Sequence, residues 1–547
     1  MTALAALRRS ATLRPLAAPL FGALWAAVLL SNIGNWMETV GAQWLLVRQQ
    51  AAPALIALVQ TADTLPVVLL ALPAGVLADV FDRRRLLLGT QLFLAVVEVT
   101  LFAVTVSGHM TPGLLLALTF FGGAGAGVSV PAWQALIPDV VDRAELRAAA
   151  VLSSINVNLA RAVGPAIAGL LIAALGVAPV FALNAGTFLL FAGVLLWARV
   201  PRDEAPLRRE RLLPALRAGT AYVRWAPIVR TILLRAGLFL LPAMATWALL
   251  PLVASDVLGL DAAGYGVLLG SLGSGALLGV VVLGRLGEPY SDEALLRVAS
   301  VAYAATMAVL VLLPYGPAAV ASLLVAGACW VAVLSRVNAA LQLFLPGWVR
   351  ARGLAIYIMV LFGSQAAGAA GWGIVASQVG LTATFLAAAG AMVLGGLGAL
   401  RWPLRDVSRL DRRPAAYWAE PQLAFEPDLD IGPVLVRVDY QVAPENVTAF
   451  VTAMEVVERS RRRTGARSWR LYREGADPSQ FVELFEVASW EEHLRQHGGR
   501  LTESDAAFEA QAEALASNAS VTRHYFPVDA VPEEAPADRG PDLPDER

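Results

Sequence analysis

The chain has 547 residues, of which 57% are hydrophobic and 16% charged, and its formal net charge is −1. A mean hydropathy of +0.62 excludes a soluble protein of this length, and a charge so near zero selects no particular partner. The lone Cys329 excludes an internal disulfide or a thiol metal cluster, and with no Lys in the chain every basic contact falls to Arg or His.

Residues 1–17 carry Arg8, Arg9 and Arg14, like the charged start of a signal peptide. The apolar run behind them is long, holds Asn32, Asn35 and Glu38 and has no convincing cleavage site, so it reads as a retained first helix. Stretches of roughly 18 or more apolar residues then recur, and a helix needs about 20 to cross a bilayer. They are continuously apolar, which predicts helices rather than alternating barrel strands. They fall at 18–46, 53–78, 86–107, 112–137, 148–174, 178–198, 228–252, 264–284, 294–314, 317–343, 353–378 and 381–400. The expected fold is an all-α membrane protein of twelve transmembrane helices in two six-helix repeats, 18–198 and 228–401, followed by a small α+β domain.

Arginines set the orientation, because loops left in the cytoplasm carry the positive charge. Turns after even-numbered segments hold Arg83–Arg85, Arg143, Arg147, Arg285, Arg350 and Arg352, whereas Arg48 is the one Arg in turns after odd-numbered segments. Both termini are therefore expected in the cytoplasm of a bacterial inner-membrane protein. An internal repeat aligns Ala132-Trp133-Gln134 and Pro138 with Ala340-Leu341-Gln342 and Pro346. Parallel repeats of this kind are how rocking transporters are built.

The connection 199–227 interleaves Leu212, Leu213 and Leu216 with Arg208, Arg209, Arg211 and Arg217. An amphipathic helix on the inner membrane face fits this pattern, and so does an ordinary charged linker. A Pro-rich charged linker follows at 402–432. Residues 433–526 are soluble in character: strand alternation from Val434 to Val442, helical spacing at Phe450, Met454 and Val457, two short strands, helical segments and a last strand near 519–526. That β-α-β-β-α-β order is the ferredoxin-like pattern. The acidic, Pro-rich tail 527–547 is expected to be disordered.

The turn in LPAGVLADVFDRRRLLLG, residues 72–89, places Asp82, Arg83, Arg84 and Arg85 between two apolar segments. With Gly75 and Asp79 it resembles the loop between helices 2 and 3 of the major facilitator superfamily, although Val80 and Asp82 stand where that pattern has a basic residue and a Gly. The Asp-Arg-Arg form, Ser31-Asn32-Ile33-Gly34-Asn35-Trp36, Pro131-Ala132-Trp133-Gln134 and Gly164-Pro165 are similar to the enterobactin-exporter-like branch, the transmembrane secretion effectors. The resemblance implies that Gly75, Asp79, Asp82, Arg83 and Arg84 form a conformational latch. Asp79 would meet the N-terminus of the eleventh helix, whose dipole favours a carboxylate. The arginines also anchor topology.

Ionisable groups inside membrane helices are costly and mark function by default. They are Glu38, Asp63, Glu98, Arg161 and Arg336, with Arg235 near a helix end where it can snorkel. We read Glu38, Asp63 and Arg161 as proton-coupling elements, with Glu38 alternating between Arg161 and a proton; a fixed Glu–Arg pair or a lipid contact is the plainer alternative. Glu98 reads as structural. Asn32, Asn35, Trp36, Gln134, Ser154, Asn158, Ser335, Asn338 and Gln342 are expected to line the substrate cavity or lock helices together, and Gly164-Pro165 resembles an antiporter element of the fifth helix. The fourth segment lacks the Arg that many drug/proton antiporters carry.

Residues 432–526 resemble the dimeric ferredoxin-like fold of the antibiotic-biosynthesis monooxygenase group, on Trp469-x-x-Tyr472, Phe481-x-Glu483-x-Phe485 and Ser489-Trp490-x-Glu492-His493. No catalytic set emerges from these residues, so a regulatory or dimerising role is expected. His493 and His497, four apart, can share a metal. No third ligand is evident in the sequence, so no metal and no cofactor is assigned. The expected function is export of a siderophore, drug or secondary metabolite by alternating access, with protons, substrate, the bilayer and a second copy as partners and no nucleic acid. The alternative is a membrane-tethered cofactorless oxygenase acting through 433–526.

Overall fold

The computed structural model describes residues 12–198, 212–286, 291–398, 401–403, Ala415, Pro421, 423–518 and 520–528. The first eleven residues, most of the linker and residues 529–547 of the tail expected to be disordered lie outside the described residues. In chain order the helices are α1 (Pro19–Arg48), α2 (Pro53–Val80), α3 (Arg83–Val106), α4 (Pro112–Val140), α5 (Leu146–Leu175), α6 (Ala178–Trp197), α7 (Leu212–Trp225), α8 (Pro227–Leu252), α9 (Ala262–Leu286), α10 (Asp292–Leu312), α11 (Gly316–Phe344), α12 (Gly347–Val379) and α13 (Leu381–Leu397). The remaining elements are β1 (Val434–Gln441), α14 (Val447–Thr464), β2 (Ala466–Arg473), β3 (Gln480–Val487), α15 (Trp490–Arg495), α16 (Glu503–Glu513) and β4 (Val521–Tyr525). The chain forms two compact units.

The first unit, Met1–Arg208, Thr231–Ala339 and Ala355–Leu404, is helical. Among the described residues, eleven helices are long and apolar enough to cross a membrane, and the last, α13, is apolar over 17 residues. Proline opens α1, α2, α4 and α8, where a missing N–H costs nothing. Leu69, Val96, Leu170 and Leu394 expose at least 59% of their surface, an arrangement that is costly in water and costless in lipid. Glycines set the closest approaches. A Cβ at Gly123 would lie 2.2 Å from the Asp63 carbonyl oxygen, and one at Gly127 would lie 3.2 Å from the Val67 Cα, so only glycine lets α4 lie this near α2.

The second unit comprises Arg209–Arg230, Ala340–Leu354 and Arg405–Arg547. Its sheet has the order β2-β3-β1-β4 with every pairing antiparallel, Val436 opposite Phe485 and His524. Alternation along β1 and β3 buries Val434, Val436, Val438, Phe481 and Phe485 against Phe450, Met454 and Val457 of α14. The segment read as amphipathic forms α7. Its Tyr222 and Trp225 take the guanidinium groups of Arg463 and Arg462 of α14 at 5.6 and 4.6 Å, so its described part packs on protein rather than presenting itself to lipid.

Candidate functional site

Three acids from three helices gather beside the glycine-rich stretch of α4. The carboxyl groups of Glu38 of α1 and Glu98 of α3 stand next to each other, and Asp63 of α2 is close enough to Glu38 to act on it electrostatically, while Glu98 Oε2 has no hydrogen-bond partner. The Glu38 Oε1 lies 3.8 Å from where a Cβ on Gly122 would sit. Glu98 is 2% exposed, and its Oε1 accepts a hydrogen bond from Asn184 Nδ2 at 2.9 Å. Two carboxyl groups so placed can bond only when one of them holds a proton. Among the described residues no ion pair reaches any of the three acids. The sequence reading, which took Glu98 as structural, did not place it beside Glu38; the GGAGAG run of α4, which brings α2 and Glu38 close, was the available signal.

Arg161 was expected to pair with Glu38. Its guanidinium instead stands 5.6 Å from the ring of Trp36 and 5.9 Å from that of Trp247, and its Nε has no hydrogen-bond partner. The reason is helical geometry. Trp36 and Glu38 are two residues apart, about 200° around α1, so a group stacked on Trp36 cannot also meet Glu38. The aromatic run continues from Trp247 to Trp330 at 5.2 Å.

Contacts between α1–α6 and α8–α13 form a seal at the arginine-poor ends of the helices. Thr61 Oγ1 donates to the Ala366 carbonyl at 2.9 Å, and Ser377 Oγ accepts from Ala54 N–H at 3.0 Å. Tyr265 OH donates to Gln43 Oε1 at 2.5 Å and its ring stacks on Trp44. A Cβ at Gly169 would meet the Ala262 carbonyl at 2.6 Å, and one at Gly273 would meet the Arg161 carbonyl at 2.5 Å. The seal thus runs to the midpoint of α5 and α9. Along α5 the face predicted to be polar changes character: Ser154 is exposed, Asn158 half-buried, and Pro165 buried. Gly164 admits the Trp36 Cβ at 2.6 Å from its own missing Cβ.

The charged turn is fixed by its own half of the chain. Asp82 caps α3 by accepting from the Arg85 N–H at 2.9 Å. Arg83 binds both Asp139 oxygens at 2.9 Å and the Ala135 carbonyl at 3.0 Å, near the end of α4. Arg84 donates to the Leu195 and Leu196 carbonyls at 2.6 and 2.8 Å, closing the C-terminus of α6. Gly75 has open space beside it, and the Asp79 side chain lies outside the described residues. A groove of about 530 Å³ beside this turn, lined by Leu70, Asp82, Arg85, Phe93 and Val128 among others, is mostly apolar and is not lined by Glu38, Asp63 or Glu98.

Other predicted residues have varied surroundings. Asn32 donates to Asn156 Oδ1 at 2.8 Å, and Asn156 donates to the Trp25 carbonyl at 3.0 Å, locking α1 to α5. Asn35 and Asn338 are half-buried, while Gln134, Ser335 and Gln342 are exposed, Gln342 within the second unit. Arg336 pairs with Asp292 at 3.3 Å. Arg235 does not snorkel: it is 3% exposed, bound to Glu293 at 3.2 Å and to the Gly395 carbonyl at 2.7 Å. In the second unit, burial and the neighbouring His497 and His524 rings push His493 down to about 3, leaving it neutral.

Residues 10–530 match the family model described as transmembrane secretion effector. The chain is 27% identical over 406 residues to the multidrug efflux pump Tap of Mycolicibacterium fortuitum, covering 71% of this chain and 97% of that pump. It is 31% identical over 218 residues to the enterobactin exporter EntS of Shigella boydii serotype 18, covering 39% of this chain and 51% of the exporter. The matched stretch thus spans about half the length of such curated relatives, in contrast to Tap. The fold is similar to a bacterial homologue of the human lysosomal transporter Spinster, solved inward-facing and unoccupied, with a TM-score of 0.54 and 15% identity over 70% of this chain and 94% of that one.

Proposed function

Because the chain belongs to the transmembrane secretion effector family of the major facilitator superfamily, a family of transporters and not of enzymes, we propose that it exports a small organic molecule across the bacterial inner membrane by alternating access coupled to proton entry. It is a multi-pass membrane protein of the efflux type. The finer reading treats α13 as the twelfth span and the bundle as two six-helix halves. Two likenesses support it. Gly176, between α5 and α6, and Gly380, between α12 and α13, both have φ of +84°. Arg83 opens α3 and pairs with Asp139 of α4; Asp292 opens α10 and pairs with Arg336 of α11, the same bridge with its charges exchanged.

The arginine-rich ends belong in the cytoplasm. The seal then lies outside, and the molecule is in its inward-open state, with Ser154, Asn158, Ser335 and Asn338 along the open part. Arg161 between Trp36 and Trp247 suits an anionic or aromatic solute better than a cation. Arg83 and Arg84 hold the charged turn rigid, leaving Asp79 to latch the opposite, outward-open state.

The observation that carries the reading is the close Glu38–Glu98 carboxyl pair, which no ion pair reaches among the described residues. A proton that is shared in one state and released in another is what antiport requires, and Asp63 is the relay. The test is substrate-driven proton movement in proteoliposomes, with siderophores and cationic drugs in one panel. Wild type is expected to move protons with an anionic or aromatic member and Glu38→Gln to lose that movement while still binding substrate. If Glu38→Gln couples like wild type, the proton site is elsewhere.

A further inference from the structure

Three of the four histidines in the chain converge at one point of the second unit, each offering a ligand atom within 4.8 Å of the others. His493 and His497 stand one helical turn apart, and His524 comes from β4. His493 Nε2 is 2.8 Å from His524 Nε2 and 3.2 Å from His497 Nε2. The sequence reading lacked this third ligand because His524 is distant in the chain and reaches the others only through the pairing of β4 with β1.

Gln496 sets the direction of the His493 ring. Its Nε2 donates to Thr464 Oγ1 at 3.2 Å, and the Thr464 hydroxyl donates onward to the Ser460 carbonyl at 2.9 Å. Gln496 Oε1 is left facing His493 Nδ1 at 3.2 Å, so Nδ1 carries the hydrogen and Nε2 presents a lone pair to the other two rings. A partner on the far nitrogen that fixes tautomer and orientation is the usual support of a metal-bound imidazole. Trp490 walls the group, 5.4 Å from His493 and 5.6 Å from His524. His497 and His524 are only partly buried, which leaves an entry path.

We propose that His493, His497 and His524 bind one divalent first-row transition-metal ion of the zinc, cobalt or nickel class through three imidazole nitrogens, with a fourth position open. Metal–nitrogen bonds of about 2.0–2.1 Å in a tetrahedron place the nitrogens about 3.3 Å apart, so the two pairs that include His493 need only a small outward shift, and His497 and His524 already lie within 4.8 Å of each other. Magnesium and calcium are disfavoured, since they take oxygen ligands. Three protein ligands and an open position mark an exchangeable site rather than a closed structural one. Occupancy would brace the turn Gln496–Arg500, whose Arg500 pairs with Glu492 at 2.6 Å and lies 4.8 Å over the ring of Trp348 near the start of α12. The proposal does not depend on the export reading.

The test uses the full chain in detergent, purified by a tag without histidine and stripped with chelator. Co²⁺ is added and its visible ligand-field absorption followed, with Zn²⁺ as competitor. Wild type is expected to bind one Co²⁺ per chain, displaced by Zn²⁺, and His109→Gln to do the same. Gln496→Leu should weaken binding roughly 10–100-fold as an outer support, and His497→Gln or His524→Gln should weaken it more. Hydrogen exchange at 496–500 should slow on Zn²⁺ addition in wild type and not in His497→Gln. A wild type that binds no Co²⁺, or a His497→Gln variant that binds as wild type does, overturns the proposal. Should His524→Gln fail to fold, the partly exposed His497 answers the same question.

Discussion

Both units bury carboxylates, and they neutralise them differently. In the second unit Glu483, fully buried, accepts from Arg461 Nε at 2.9 Å, Trp469 Nε1 at 2.8 Å and Tyr440 OH at 2.9 Å, while Arg461 also reaches Glu509 at 2.6 Å. Although burial works against its charge, those two carboxylates hold the Arg461 guanidinium above its ordinary range. In the helical unit Glu38 and Glu98 have each other and Asn184. A guanidinium neutralises permanently; a shared proton can leave. The first arrangement suits a scaffold and the second a site that must change charge.

The largest effect should come from breaking the permanent pair. Arg461→Met leaves Glu483 buried without its cation and takes one from Glu509, and breaking a buried pair in this way costs about 3–5 kcal/mol in comparable cases. Limited proteolysis and thermal unfolding of the full chain should show residues 434–525 opening first. A variant with wild-type stability would mean that these carboxylates, too, are held by protons. Glu98→Gln sharpens the comparison from the other side. The amide can accept from Asn184 and donate to Glu38, so stability should change by less than about 1.5 kcal/mol while coupled proton movement is lost. If coupling survives, Glu98 is scaffold and Glu38 works with Asp63 alone. The smallest effect is expected at Arg84→Ala, which removes a cation from the end of α6 and should cost about 0.3–1 kcal/mol, read as a slight drop in melting temperature with coupling intact.

Much of the fold was legible in the residues. Continuous apolar runs announced the bundle helices because lipid forces each backbone to satisfy itself. Alternation announced β1 and β3 because one face of each is buried. The acids were also legible, because ionisable groups stand out against lipid. Their partners were not: Glu38 meets Glu98 rather than Arg161, and Arg235 and Arg336 are bound to Glu293 and Asp292. Partner choice depends on the rotation of each helix about its axis, and spacing within one helix leaves that undetermined.

The sequence by itself determined where the apolar segments fall and which side chains are chemically unusual, since these follow from local composition and period. Only the tertiary structure decided which unusual side chains meet. Asn156, unremarked in its helix, locks α1 to α5. Glu98 meets a carboxyl group sixty positions earlier in the chain. His524 completes a histidine trio from the far edge of a sheet. Each meeting is made by packing between elements distant in the chain, where the approach of two backbones, often through a glycine, fixes contacts that no local pattern encodes.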